Sequence, residues 1–346
     1  MEAAGTEIID LLLGILMVIL AGASLLLSQL FISVMAFIGL GLVVAVVWAR
    51  LGAVDIALAE AMIGSGITGA LFLAALGRMA REEDQAGDDS AARANSDSSD
   101  RPEFAGSAHL KAIRWRSATA AVMIASAAVF VILSVFPLPA PDGRIPALVI
   151  QNLPDSGVSN PVTAVLLNFR AYDTLLEIGV VLLAVLGMRA VGGLRPTGRH
   201  TQPESVLAGF YRLILPVLIV FSAYMVWVGK DEPGGAFQAA ALLAAGGIIG
   251  CVAGAQPLSH ALPAAGRRIV VSAGFAVFLS LGVLSWIQSG TFLAFAPATA
   301  GWSILVIEVM ATVSIALALI ILFTGNSGAL PISRENGSVR ADRTGG

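Results

Sequence analysis

Nine stretches of this chain are apolar over about twenty residues each, and that repetition constrains the fold more than any other feature. They run over roughly 8–28, 30–49, 53–76, 117–137, 171–191, 210–228, 236–254, 268–287 and 302–323. A bilayer core about 30 Å thick is crossed by about 20 residues of α-helix, so every stretch is long enough to span. In hydrocarbon each backbone N–H and C=O must be satisfied within the protein, which a helix achieves inside one segment and an open strand does not. The sequence therefore predicts an all-α integral membrane protein of about nine transmembrane helices.

Only 12% of the 346 residues are charged and 57% are hydrophobic. A soluble domain carries about a quarter charged residues, so too few charges remain here to coat a water-exposed globule. The net charge of −3, with no basic arm, argues against a nucleic-acid partner. Cys251 is the only cysteine, which rules out an internal disulfide. No Cys/His cluster has metal-ligand spacing, and His109, His200 and His260 all fall in linkers. The sequence contains no nucleophile–histidine arrangement and no phosphate loop. An enzyme in the usual sense is disfavoured, and neither a metal nor a cofactor is expected. Carboxylates in lipid are the chemistry on offer.

The first basic residue is Arg50, preceded by Glu2, Glu7 and Asp10. A secretory signal carries a basic segment before its apolar core, so the first helix is expected to be a retained span entering from outside. With nine spans, the side reached after helices 1, 3, 5, 7 and 9 holds 16 of the 20 Lys and Arg residues. The other side holds Arg50, Arg144, Arg170 and Lys230. The positive-inside rule then places the N-terminus outside and the C-terminus in the cytoplasm.

Between the spans, residues 81–109 are acidic and serine-rich and are expected to form a disordered linker. A Gly/Pro/Arg stretch at 192–205 marks a second linker, and 326–346 is a polar tail. The chain thus divides into three modules of three, two and four helices, over 1–80, 110–191 and 206–325.

Charged residues in or beside the spans are candidates for function, because lipid penalises them by about 2.5–3.5 kcal/mol near mid-membrane. Asp55 and Glu60 lie five residues apart at the start of the third span. At 3.6 residues per turn they point about 140° apart and form no dyad. Asp55 is open to two readings, an interfacial helix-end charge or an ion-path group. Glu60, flanked by Ala57, Ala59, Ala61, Gly64 and Gly66, is either an interhelical hydrogen-bonding group or an ion-path carboxyl. In Asn168-Phe169-Arg170-Ala171-Tyr172-Asp173-Thr174-Leu175-Leu176-Glu177, Arg170, Asp173 and Glu177 follow i, i+3, i+7 spacing and share one helix face. Two carboxylates about 5–6 Å apart in low dielectric resist double ionisation. Arg170 would hold Asp173 ionised, leaving Glu177 to exchange protons; an Arg–Asp anchor at the helix end is the alternative. The triplet Lys230-Asp231-Glu232, followed by Pro233, Gly234, Gly235 and Phe237, predicts a tight turn at the membrane face. Lys230 and Asp231 are solvated there or line an ion entrance. Gly246, Gly250 and Gly254 read as a stripe for close helix packing. Glu308 lies in the middle third of the last span with no partner evident, and a structural hydrogen bond and a relay role both remain open.

In combination these clusters resemble a known family. Gly52–Leu73, with its Gly-Ala-x-Asp-x-Ala-x-x-Glu pattern, resembles the three-helix module found as the D subunit of membrane-bound hydrogenases and near the C-terminus of the large subunit of Mrp-type sodium/proton antiporters. Residues 158–187 resemble the module that follows it, whose hallmark includes Asp/Asn-Phe-Arg-Gly-x-Asp-Thr-x-Gly-Glu. Residues 206–323 are similar to the antiporter B subunit, with its Pro-Gly-Gly-Gly-Phe turn. Ala171, Leu176 and Ala236 stand where glycines are usual, and Lys230 where histidine is usual; every acidic position is retained. The resemblance implies a fused subunit of a multisubunit cation/proton antiporter in a prokaryotic inner membrane, exchanging sodium or another monovalent cation for protons. It implies that Asp55, Glu60, Asp173, Glu177 and the Pro233–Phe237 turn contribute to an ion path between subunits. Other polypeptides, including a large antiporter-like subunit, would be the partners. A scaffold that conducts no ions, a redox-driven relative and a stand-alone carrier are the competing expectations.

Overall fold

A computed structural model describes residues 2–77, 143–190, 205–255 and 262–325, with isolated residues between 79 and 133. Every regular element among them is helical. Helices α1 (Glu2–Leu26) and α2 (Leu30–Arg50) are followed by α3 (Val54–Gly77), whose middle, Glu60–Ile67, is wound as a π-helix. Next come α4 (Arg144–Asn152), a 3-10 turn (Leu153–Ser156) and a short α5 (Pro161–Ala164) that runs on as a π-helical turn, Val165–Phe169. The chain then forms α6 (Ala171–Ala190), α7 (Ser205–Val228), α8 (Ala236–Val252), α9 (Ala264–Ser289) and α10 (Pro297–Thr324).

Seven of these helices, α1, α2, α3, α6, α7, α9 and α10, are long and apolar enough to cross a membrane, and α8 is a shorter apolar helix. The protein is thus an all-α membrane protein. The span expected at 117–137 lies almost wholly outside the described residues, as do the linkers and the tail. Two compact units are present, Met1–Gly77 with Gln151–Gly346, and Arg78–Ile150.

In the first unit α10 is the central helix. It packs against α6, α8 and α9, and Ile304, Ile307, Ala311 and Ile315 are buried along it. Phe278 of α9 and Ala240, Ala244 and Ile248 of α8 join that core. Lipid is as apolar as leucine, so close packing and interhelical hydrogen bonds, rather than escape from water, hold such helices together. Ser314 Oγ donates to the Val271 carbonyl of α9 at 2.5 Å, and Ser222 Oγ of α7 to the Ala239 carbonyl of α8 at 2.9 Å. At the N-terminal end α1 lies along α2, with Asp10 and Arg50 paired at 2.6 Å. Phe37 of α2 meets Phe72 of α3 edge to face at 5.4 Å.

The structure corrects the packing stripe. Gly246 and Gly250 do admit α7, because a Cβ at Gly250 would lie 2.8 Å from the Tyr211 ring. Gly254 takes no part: α8 ends at Val252, and Gly254 is exposed with φ 76°. The Gly254 and Ala255 amides donate back to the Cys251 and Gly250 carbonyls. That is a helix-ending Schellman motif, in which glycine supplies the left-handed residue. The span over 236–254 is shorter than expected for this reason. The segment between the fourth and fifth expected spans also differs: it contains α4 and α5, elements too short to register as spans.

Candidate functional site

The turn between α7 and α8 is the hub of the site. Helix α7 ends at Val228, and the Asp231 and Glu232 amides both return to its carbonyl at 2.8 Å. The Gly235 amide reaches the Met225 carbonyl at 3.0 Å. Gly235 has φ 123°, a region that side chains disfavour, and a Cβ there would sit 2.8 Å from Glu308 Oε1.

Two other parts of the chain grip this turn. The Ser159 and Asn160 amides both donate to the Lys230 carbonyl at 2.9 Å. Asn160 Nδ2 donates to the Glu232 carbonyl at 2.9 Å, and Thr163 Oγ1 to the Gly229 carbonyl at 2.5 Å. Asn160 Oδ1 also accepts from the Val162 amide at 2.8 Å, so the residue caps α5, with Pro161 at the first helical position where its missing N–H costs nothing. From α3, Asp55 Oδ1 accepts the Gly234 amide at 3.0 Å, and the Asp55 carbonyl accepts Gln238 Nε2 at 3.3 Å. Asn160→Ala removes a cap and a turn anchor together. We expect it to cost about 2 kcal/mol, read as a lower melting temperature of the purified protein.

Beneath the turn lies a cavity of about 280 Å³. Three carboxylates from three separate helices line it: Asp55 of α3, Glu177 of α6 and Glu308 of α10. Thr163 and Thr174 add hydroxyls, while Ile63, Leu167 and Phe237 are among its apolar walls. Glu308 is 2% exposed. Its carboxyl meets the Ala236 amide at the start of α8. Thr312 Oγ1 donates to the Glu308 carbonyl at 2.7 Å and also lies 3.3 Å from that of Ala236. Glu308 Oε2 has no hydrogen-bond partner among the described residues. A buried carboxyl oxygen left open in this way is costly unless a cation, a proton or water completes it.

Of the residues singled out from sequence, Asp55, Thr174, Glu177, Glu308, Gly234, Gly235 and Phe237 therefore meet at one cavity. Glu60, Arg170, Asp173, Lys230, Asp231 and Pro233 are not among its lining residues. Glu60 turns the other way, over Gly64 of its own helix and against Gly41 of α2. Arg170 lies outside α6 with φ −130°, at the junction with the π-helical turn, and pairs with Asp173 at 2.5 Å while 70% exposed. Lys230 lies 3.5 Å from Asp231 and over the Trp227 ring, and Ser159 Oγ donates to Asp231 at 2.5 Å.

Sequence reasoning passed over Asn160, Thr163 and Gln238. The Ser-Asn-Pro run at 159–161 carried the signal for the first, a capping residue before a proline. It also passed over the π-winding at Glu60. There Thr68 Oγ1 donates five residues back to the Ile63 carbonyl at 2.7 Å, and Ser65 Oγ to that of Glu60 at 3.0 Å.

Comparison with known proteins fits this architecture. Residues 15–81 match the MbhD family, the D subunit of MBH, and residues 206–325 match the domain related to the MnhB subunit of Na+/H+ antiporter. Among curated proteins none matches the chain. In fold it is similar to a chain of the Mrp complex from Dietzia sp. DQ12-45-1b, with TM-score 0.64 and 21% identity over 92% of this protein. It spans 35% of the length of that chain. It is also similar to a chain of the membrane-bound sulfane sulfur reductase, an archaeal respiratory membrane complex, with TM-score 0.50 and 19% identity, covering 61% of this protein and 97% of that chain. Carrying an MbhD module near its N-terminus and an MnhB-related domain near its C-terminus, the protein belongs to the Mrp/MBH type of antiporter modules, as a fusion of the two.

Proposed function

We propose that this protein is a membrane subunit of a multisubunit cation/proton antiporter, and that it lends intramembrane carboxylates to the path of sodium or another monovalent cation. One observation carries the reading. Asp55 of α3, Glu177 of α6 and Glu308 of α10, far apart in sequence, wall one cavity. Carboxylate and carbonyl oxygens suit hard cations, and lipid tolerates such groups only where a protein or water partner offsets them. In this reading the N-terminus lies outside an inner membrane and the C-terminus in the cytoplasm; with nine spans, the 16 of 20 Lys and Arg residues on the side away from the acidic turn support that orientation. The partners in this reading are other antiporter subunits, among them a large one that carries its own proton channel.

Glu177→Gln is expected to abolish antiport in everted membrane vesicles while the complex still assembles. Normal antiport in that variant would sink the proposal. The bonds from Asn160, Thr163 and Asp55 to the 229–235 turn support a second reading, a scaffold that conducts no ions. In that case carboxylate variants stay active, and breaking the anchors of the turn disperses the complex.

A further inference from the structure

Helix α6 has two contrasting sides. Ala171, Thr174, Leu175, Ile178 and Val185 are buried against the bundle, within an arc of about 100° on a 3.6-residue helical wheel. Roughly opposite, Leu176, Glu177, Val180, Leu183, Ala184 and Gly187 are all exposed, within an arc of about 120°. Glu177 forms one edge of that arc, about 9 Å along the helix from its start. The cavity lies on one flank of this residue, and the open arc on the other. Acyl chains packed on the arc would meet the carboxyl directly, which lipid disfavours. Below Glu177 the surface is built for a close neighbour: Ala184 lies two turns further on, and among the described residues nothing stands within 4 Å of a Cβ placed on Gly187.

We infer that this face of α6 is the docking surface for a transmembrane helix of another polypeptide, one that presents a cationic or hydroxyl donor at the level of Glu177. Charge selects this occupant. A second copy of the chain related by a two-fold axis along the membrane normal would bring two Glu177 carboxyls to one level of the same low-dielectric interface, with no cation to offset either. The Arg170–Asp173 pair beside it is already internally matched, so Glu177 is the charge that the partner must complement. The inference names a partner surface for the complex proposed above. It rests on α6 being a membrane span and does not require that Glu177 conduct ions.

A photo-cross-linking residue placed at Val180 or at Leu183, in the intact complex in native membranes, tests it, with the adducts mapped by mass spectrometry. Both positions are expected to capture one membrane-spanning helix of a different polypeptide, bearing Lys, Arg, Ser, Thr or Asn opposite Glu177. A Cβ at Gly187 meets nothing among the described residues, so Gly187→Leu is expected to leave the fold of the chain intact and to lower recovery of that adduct roughly tenfold. Adducts only to lipid, within the chain, or to a second copy overturn the inference, and so does a Gly187→Leu complex recovered at the normal level. If Glu177→Gln keeps full antiport while these adducts persist, the ion path falls and the surface stands. If antiport is lost but no partner helix is captured, the surface falls and the ion path stands.

Discussion

Gly235→Ala is expected to lower the stability of the protein by about 3 kcal/mol, the sum of two separable effects. The first is the backbone. Gly235 lies at φ 123°, ψ −169°, a conformation that is essentially glycine's alone and costs another residue about 1–3 kcal/mol. The second is crowding, because the new methyl would stand 2.8 Å from Glu308 Oε1. Glu308 Oε1 ends a flexible side chain that borders the cavity, so it can withdraw, at the cost of about 1 kcal/mol for its contact with the Ala236 amide. Gly52→Ala separates the two effects. Gly52 has φ 78° but open space around its Cβ position, so it carries the backbone cost only, about 1 kcal/mol. Thermal unfolding of the purified protein in one detergent should rank Gly235→Ala well below Gly52→Ala, with wild type highest. Equal melting temperatures for the two variants would mean that the turn does not press on Glu308.

Glu308→Gln is expected to cut antiport at least roughly tenfold while changing stability by less than about 1 kcal/mol. The amide keeps an acceptor for the Ala236 N–H and nearly the same volume, so the contacts of α10 survive. What it loses is the ability to hold a negative charge or exchange a proton at Oε2, the atom left without a partner in the cavity wall. Glu308→Asp retains the charge and retracts it by one methylene. It should recover part of the activity if charge matters, and none if position alone does. Proton uptake and cation exchange in vesicles, beside a melting curve for each variant, give the comparison. Wild-type exchange in Glu308→Gln would reduce this carboxyl to a structural hydrogen bond and remove one wall from the proposed path.

The two predictions share a cause that linear reading could only half anticipate. Gly235 and Glu308 are 73 residues apart in sequence, and nothing in either segment announces the other. The Pro-Gly-Gly run made a turn legible, because proline and glycine restrict or free the backbone in ways that depend on no neighbour. That the turn would press on a carboxyl of α10 depended on packing. The same holds for Asp55, whose helix-end position could be read from spacing, while its bond to the Gly234 amide could not. For Glu60 and Asp55 the divergence of direction was legible, since helical periodicity alone sets it. The π-winding of α3 was not, since it depends on Ser65 and Thr68 hydroxyls meeting carbonyls in their own helix rather than elsewhere.

By itself the sequence determined that the protein is helical and lives in a membrane, and which charged residues lie in or beside the spans. These are properties of single segments. Apolar length is set against bilayer thickness, and backbone hydrogen bonds must close within each segment wherever water is absent. Only the tertiary structure decided that Asp55, Glu177 and Glu308 face one cavity. It also decided that Gly254 ends a helix instead of packing one, and that the short 153–169 segment carries Asn160 and Thr163 to the acidic turn. Those outcomes depend on which helix faces meet. In lipid that choice rests on close packing and a few hydrogen bonds between residues distant in the chain, and no periodicity encodes it.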